Sequence, residues 1–377
     1  MLAIYQSALQ IAIPLKASKN HFSLLHEWIG KNPVEIVTSG DGRLAVAINN
    51  RPAYFADVAP GIRLRVESAD TSTTSLRELH YRFDHRIWLH FEEARPLAAI
   101  REDVSKLLPL LCLLTGERIF SDTFVLFEDD PFESHHPRPV SPCELLQINR
   151  GVSDAERGTH PSHMRVTFQE LEPQFGQVFE KWFRCYETLK PVVELYFSVT
   201  AGWVPTTESR FLFIAQALEV YHARSPQFSQ TERPRESHKT RLKAILKGAP
   251  KLDCKWLNEK LAFSNQKTLA QRLDDLLKQH PDEARELTMR IPDFASKLRY
   301  TRNYYTHYNP EHLKKGKVAI GNELSLLTCA VETLLEICLL KELGIHGKPI
   351  QRVLQRFTGM EVSSLETTQP HPKRILI

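Results

Sequence analysis

Two hydrophobic rhythms divide the chain. In the first half, apolar residues cluster briefly or alternate with polar ones over Ile4 to Pro14, Leu44 to Ile48, Ile62 to Glu67, Tyr81 to Phe91 and Thr123 to Phe127. A period of two puts alternate side chains on one face of an extended backbone, so each run predicts a strand. Gly40, Asp41-Gly42, Asn49-Asn50 and Pro60-Gly61 separate the runs as turn signals. Within this region Ala98 to Leu114 has helical spacing and a stop at Thr115-Gly116, and Met164 to Phe168 reads as a last strand. Between them, Asp129 to His163 is rich in proline, serine and histidine and reads as an irregular connector.

From Gln174 onward the rhythm is helical. Phe175, Val178, Phe179, Trp182, Phe183 and Tyr186 recur at helical spacing over Gln174 to Leu189, a pattern that reads as packing rather than as a base-stacking platform. Pro191 is expected to start a further helical segment. Helices are then predicted over Ser209 to Arg224, Thr240 to Lys247, Thr268 to Gln279, near Asp293 to His307, and Asn322 to Leu343. The last has an apolar stripe of Leu324, Leu327, Val331, Leu334, Leu335 and Cys338, with Glu332 and Glu336 away from its centre and Gly344 as its stop. Thr358 to Ile377, with Pro370 and Pro372, reads as a loose tail. The expected class is α+β. A strand-rich N-terminal domain would occupy 1–190 and an all-α bundle with a basic insertion 191–350, followed by a C-terminal tail over 351–377.

One predicted helix carries an unusual polar face. Ile291-Pro292-Asp293 reads as its start and Asn309-Pro310 as its stop, because the residue before a proline is pushed out of the helical region. At roughly 100° per residue, Phe294, Leu298, Thr301, Tyr305 and Tyr308 fall within about 80° and are expected to be buried. Arg299, Arg302, Asn303, Thr306 and His307 occupy an arc of about 140° opposite, with Arg302 and His307 at its two edges. Arginine is a permanent, planar phosphate donor, and histidine exchanges a proton near neutrality. His307 also lies in the last turn, where the helix dipole favours its protonated form. RNA supplies its own nucleophile, the ribose 2′-OH, so such a kit suffices for cleavage without a metal. Spacing alone is a weak signal, since Arg157 to His163 and Arg233 to His238 repeat it. Gly158, Pro161 and Pro234 interrupt those two pairs; only Arg302 to His307 sits on a continuous helix with a polar amide after the arginine.

Composition narrows the setting. A chain of 377 residues can bury two cores. Its six cysteines (Cys112, Cys143, Cys185, Cys254, Cys329 and Cys338) lack paired C-x-x-C spacing, so buried thiols are expected rather than disulfides or a zinc site. His135, His136, His160 and His163 lie in the connector without a carboxylate or cysteine pattern. His80, His85 and His90 would alternate between the faces of a strand. No cofactor and no metal is expected. No apolar run is long enough to span a bilayer and no signal segment is visible, so the expected location is cytoplasmic, without membrane attachment.

The net charge of +4 is unevenly spread. Between Thr231 and Lys260, nine basic residues face four acidic ones, a local net of +5, and Lys314, Lys315 and Lys317 follow the motif helix. Both segments could gather RNA phosphates, with salt-sensitive affinity, or serve as solvated surface. Arg299, Lys314, Lys315 and Lys317 are the candidate RNA contacts nearest the motif.

The run Tyr300 to His307 resembles the Arg-polar-x-x-x-His motif of HEPN domains, helical bundles that include many metal-independent ribonucleases. Arg210 to His222 looks like the first bundle helix of the ApeA-like HEPN branch of prokaryotic anti-phage defence, and Gln271 to Leu277 like a middle one. The resemblance covers about residues 205 to 345. It implies a homodimer through the bundle, with an RNA substrate in a cleft between two motif helices. His307 would be the general acid or base, Arg302 would stabilise phosphorane charge, and Asn303 would orient the phosphate or the histidine. Cleavage would leave 2′,3′-cyclic phosphate ends, in an abortive-infection role. The first half is similar, on vaguer motifs, to the N-terminal region that accompanies these domains. That implies a sensing or regulatory module, open to a phage-derived trigger and shorter than the family's usual form. Two further readings of the residues stand beside the enzyme: a non-catalytic RNA- or nucleotide-binding module, and a structural dimer scaffold.

Overall fold

The computed structural model describes residues 15–30, 34–38, 44–48, 53–74, 79–128, 160, 163–314 and 316–359. The expected strand Ile4 to Pro14, most of the connector, most of the C-terminal tail and Lys315 lie outside the described residues. The chain divides into two compact units: Met1–Glu187 with Leu339–Ile350, and Thr188–Cys338 with Gln351–Ile377.

The first unit contains a five-stranded antiparallel sheet. Its strands are β1 (Leu15–Phe22), β4 (Tyr54–Ala59), β5 (Ile62–Thr74), β6 (Leu79–Arg95) and β7 (Ser121–Phe127), in the order β4-β5-β6-β1-β7. A separate hairpin pairs β2 (Val34–Thr38) with β3 (Leu44–Ile48). The Pro60-Gly61 signal makes the β4–β5 turn, where Gly61 takes the left-handed φ of 68° that the turn requires. Register places Ile62, Leu64 and Val66 opposite Phe91, Leu89 and Ile87, and all six are buried on one face. His85 and His90 fall on opposite faces as alternation requires: the Nδ1 of His85 lies 3.0 Å from that of His26, whereas His90 stacks on Trp88.

The helices of this unit correct the sequence reading twice. Ala98 to Leu114 is not one helix but two, α2 (Leu97–Ser105) and α3 (Leu107–Thr115), because Pro109 has no N–H to give to the Ser105 carbonyl. Met164 to Phe168 is not a strand. The backbone N–H groups of Arg165 and Val166 donate to the carbonyls of Thr115 and Leu114 at the end of α3. Thr167 then starts α4 (Phe168–Leu171) with a capping box to Glu170, which overrides the alternation of Met164, Val166 and Phe168. Between Leu15 and Thr38, α1 (Leu25–Ile29) buries Trp28, whose indole N–H donates to the Val166 carbonyl at 2.9 Å.

The predicted break at Pro191 does not occur. Helix α5 runs unbroken from Phe175 to Thr200 with Pro191 inside it. An internal proline costs a helix about 3 kcal/mol, and the buried Leu189, Val192, Val193 and Tyr196 around it supply the offsetting packing. The aromatic series from Phe175 to Tyr186 is buried.

The second unit is helical: α6 (Thr207–Arg224), α7 (Arg235–Gly248), α8 (Cys254–Leu261), α9 (Leu269–Gln279), α10 (Pro281–Arg290), α11 (Phe294–His307) and α12 (Pro310–Lys314), with most of α13 (Asn322–Glu342) and α14 (Lys348–Thr358). Thr268 caps α9 through a reciprocal bond with Gln271, as its spacing suggests. The α13 stripe is buried throughout, but Glu336 is buried too, contrary to its expected place off the stripe: it accepts from the Tyr196 hydroxyl at 2.9 Å. Helix α14 extends through the first part of the expected tail, with Val353 and Phe357 buried and the Arg290 guanidinium bonded to the closing carbonyls of Phe357 and Thr358. No helix among the described residues is long and apolar enough to cross a membrane.

Candidate active site

The motif helix α11 is fixed by its apolar stripe. Phe294, Leu298, Thr301 and Tyr305 are buried as predicted, and α11 packs against α6 and α9. Thr301 also accepts the backbone N–H of Ala319 through its hydroxyl at 2.9 Å, tying the segment before α13 to the helix. Tyr308 departs from the stripe and is 63% exposed. The chain has already left the helix there: Tyr308 takes a left-handed φ of 50°, and Asn309 then accepts the Glu311 N–H to begin α12. The helix starts one residue later than its proline and acid suggest. Asp293 precedes it in the left-handed region, which a short polar side chain tolerates.

The polar arc stands on this fixed base. His307 is the last helical residue and is exposed; Asn303 is half-buried; neither side chain has a hydrogen-bond partner among the described residues. Arg302 is half-buried, and its Nη2 donates to Glu219 Oε2 of α6 at 3.3 Å. One long bond uses one of five guanidinium donors and leaves the others for a ligand. Thr306 is turned back onto its own helix, donating to the Arg302 carbonyl at 2.7 Å.

The outlying cations are arranged unequally. Arg299 and Lys317 both lie over the Tyr300 ring, at 4.7 and 5.2 Å from its centroid, and His312 flanks the same ring. Each gains a cation–π contact while keeping its donors. Lys314 instead pairs with Glu311 at 2.5 Å in an exposed i,i+3 bridge, which partly neutralises it. The aromatic positions Tyr300 and Tyr304 continue on one side of the helix towards His307.

A second polar cluster, invisible in the sequence, joins α6 to α9. His222 is wholly buried; its Nε2 lies 2.8 Å from Asp275 Oδ2 and its Nδ1 3.2 Å from Arg272 Nη1. Arginine can only donate, so Nδ1 accepts and Nε2 carries the proton, which makes His222 neutral. Burial lowers its pKa further. Burial opposes ionisation of Asp275 as well, but Lys267, 2.5 Å away, and His222 outweigh it and hold the carboxyl below its ordinary range. Phe228 stacks on the imidazole, and Gln230 links the His222 carbonyl to Arg272. This histidine is fully engaged in joining helices. Among the described residues no group of three or more histidine, cysteine or acidic side chains could hold a metal ion.

Comparison with known proteins gives two family matches. Residues 212–348 match the model described as Apea-like HEPN, and residues 20–182 match ApeA N-terminal domain 1. No curated protein and no solved structure matches significantly.

Proposed function

Because the chain belongs to the ApeA-like HEPN family, a nuclease-type family of anti-phage defence, we propose that it is a metal-independent endoribonuclease with α11 as its catalytic helix. The observation that supports this most directly is the contrast on that helix. Its apolar side is packed, while Asn303, His307 and most of the Arg302 fork have no hydrogen-bond partner among the described residues.

The chemistry needs only these groups and the RNA. The 2′-oxygen attacks the adjacent phosphorus as His307 takes its proton, and the guanidinium of Arg302 stabilises the charge gathering on the non-bridging oxygens. The bond to the 5′-oxygen breaks, and that oxygen takes a proton. The products are a 2′,3′-cyclic phosphate and a 5′-hydroxyl. One chain offers one exposed histidine on this helix, so a homodimer with two motif helices along one cleft would provide both the base and the acid. Asn303, one residue from Arg302, would orient the phosphate. The role is abortive infection in the cytoplasm, with the N-terminal domain as the module that reads a phage-derived trigger.

The test is cleavage by purified protein in EDTA, with the RNA ends identified. Retained activity with cyclic phosphate ends is expected, together with loss of activity in Arg302→Ala and His307→Ala. A His307→Ala protein that stays folded and cleaves like the parent would refute the assignment. If both variants bound RNA and the parent never cut it, the helix would be a binding module instead.

A further inference from the structure

Helices α7 and α8 form a hairpin that the catalytic reading does not use. Neither has a fully buried residue, and they pack against each other. The small interior comes from half-buried Leu242, Leu246, Leu257 and Leu261. The hairpin is closed at a neck, where Thr231 bridges Gln266, Glu232 N–H donates to the Asn265 carbonyl and Lys267 N–H to that of Gln230. The Asn265 side chain clips both polar groups of the Arg233 backbone. Beneath the neck, Lys267, Arg272 and Gln230 join the His222–Asp275 cluster. The hairpin is therefore a projecting element on a firmly built base.

Its surface is unusual for a solvated face. Leu252 is 96% exposed, Trp256 57% and Phe263 71%. Around them the segment 231–266 holds nine basic residues against four acidic, a net of +5 where the whole chain has +4. Lys243, Lys247, Lys251, Lys255 and Lys260 make no ion pair among the described residues, so their charges are available. Lys260 lies one turn beyond Trp256 on the same side of α8, which puts a cation beside an exposed ring.

Aromatic rings open to solvent, interleaved with free cations, are what single-stranded nucleic acid requires: rings for bases and ammonium groups for phosphates. A membrane-surface helix segregates its apolar side from its charges, whereas on α8 the exposed Trp256 shares a side with Lys260. A second copy of the hairpin would meet like charge. We infer that the α7–α8 hairpin is a single-stranded RNA-holding arm, in which Trp256 and Phe263 stack bases and the lysines between Lys243 and Lys260 bind phosphates.

The fold gives the arm a definite relation to the motif helix. It is inserted between α6 and α9, the two helices that carry α11. Arg302 meets Glu219 while Tyr305, further along α11, meets Phe211, earlier in α6, so the two helices run antiparallel. The His307 end of α11 thus lies at the start of α6 and the arm at its finish. From Phe211 to Arg224 the axial distance is about 20 Å at 1.5 Å per residue. An RNA must be several nucleotides long to reach both, and affinity should increase with length until it does.

This inference rests on the ribonuclease reading only for its purpose, and binding can be measured without cleavage. The probes are fluorescent single-stranded RNAs of about 5 to about 20 nucleotides, titrated by anisotropy into the full chain carrying His307→Ala. Adding Trp256→Ala and Phe263→Ala should weaken binding about tenfold or more and abolish the gain in affinity with RNA length. Replacing Lys251, Lys255 and Lys260 by alanine should flatten the slope of log affinity against log salt by about 2. All five side chains are outside the core, so circular dichroism should not change. Unchanged affinity and slope in both variants would overturn the arm. So would unchanged RNA binding with lost binding to phosphatidylserine vesicles, or with lost self-association. RNA binding that follows these expectations in a parent that never cuts RNA would leave the arm standing and remove the ribonuclease alone.

Discussion

Helix α13 up to Cys338 and helix α11 lie in one unit, yet their polar residues have opposite employment. In α13 the buried Glu336 accepts from Tyr196, Thr328 bonds back to Leu324, and Glu332 faces Arg210 at 3.8 Å. In α11 the buried Thr301 is satisfied in the same way, but Asn303 and His307 are bonded to nothing described. Burying a polar group without a partner costs about 1–3 kcal/mol, so structural polar residues come with partners. Polar residues held outward on a rigid helix without partners are available for a ligand.

The largest effect should separate the two helices cleanly. His307→Ala is expected to lower the cleavage rate about 10²- to 10⁴-fold and to leave the thermal midpoint where it was. Leu334→Ala in α13 should do the reverse, costing about 2–5 kcal/mol of stability with little change in rate per folded molecule. Single-turnover cleavage and a thermal melt on both variants check this. If His307→Ala destabilised the fold as Leu334→Ala does, the contrast would be void. A smaller effect tests the polar side of α13. Tyr196→Phe should cost about 1–3 kcal/mol by weakening the satisfaction of Glu336, again without a specific loss of rate.

What the sequence disclosed follows the same division between local and distant causes. The helix that carries Arg302, Asn303 and His307 was legible because its apolar stripe and both of its limits lie within one short segment. The start of α9 was legible because Thr268 and Gln271 form a local cap. Glu219 was not, being 83 residues from Arg302, nor was the His222–Asp275 contact across 53 residues. Strand β1 escaped because it lies between β6 and β7 and buries polar residues: Asn20 donates to Ser18 and to the Ile87 carbonyl, so no alternation marks it. Helices α7 and α8 have too little burial to impose a full apolar period. At Phe168 a nearby capping box prevailed over an alternating pattern, and at Pro191 packing prevailed over a breaker.

The His222 cluster makes a prediction with a definite sign. Folded His222 resists protonation, whereas the unfolded chain takes that proton near pH 6.5. Below about pH 6.5 the unfolded state therefore binds more protons and stability falls. Asp275 acts in the same direction further down: its contribution is intact above the usual carboxylate range and is lost as pH falls through its depressed folded value. The thermal midpoint should thus be lower at pH 5.5 than at pH 7.5. His222→Gln, which cannot titrate, should reduce that difference whatever it does to the midpoint itself. An undiminished difference would place the acid sensitivity elsewhere.

The smallest effect bears most closely on how Arg302 works. Its pairing with Glu219 is single, long and about one-third exposed on the arginine side, so the pair should contribute no more than about 1 kcal/mol to stability. Glu219→Gln keeps an acceptor for Nη2 and removes the charge. Two consequences then pull apart. The missing negative charge raises the local attraction for phosphate, so KM for RNA should fall. The looser hold on the guanidinium lets it leave the position that meets the developing charge, so kcat should fall about two- to fivefold. A melt that barely moves, with both constants lowered, would identify Glu219 as a support that orients Arg302. A rise in kcat would mean instead that Glu219 competes with the substrate for the arginine, and that the α6–α11 ion pair restrains the site rather than preparing it.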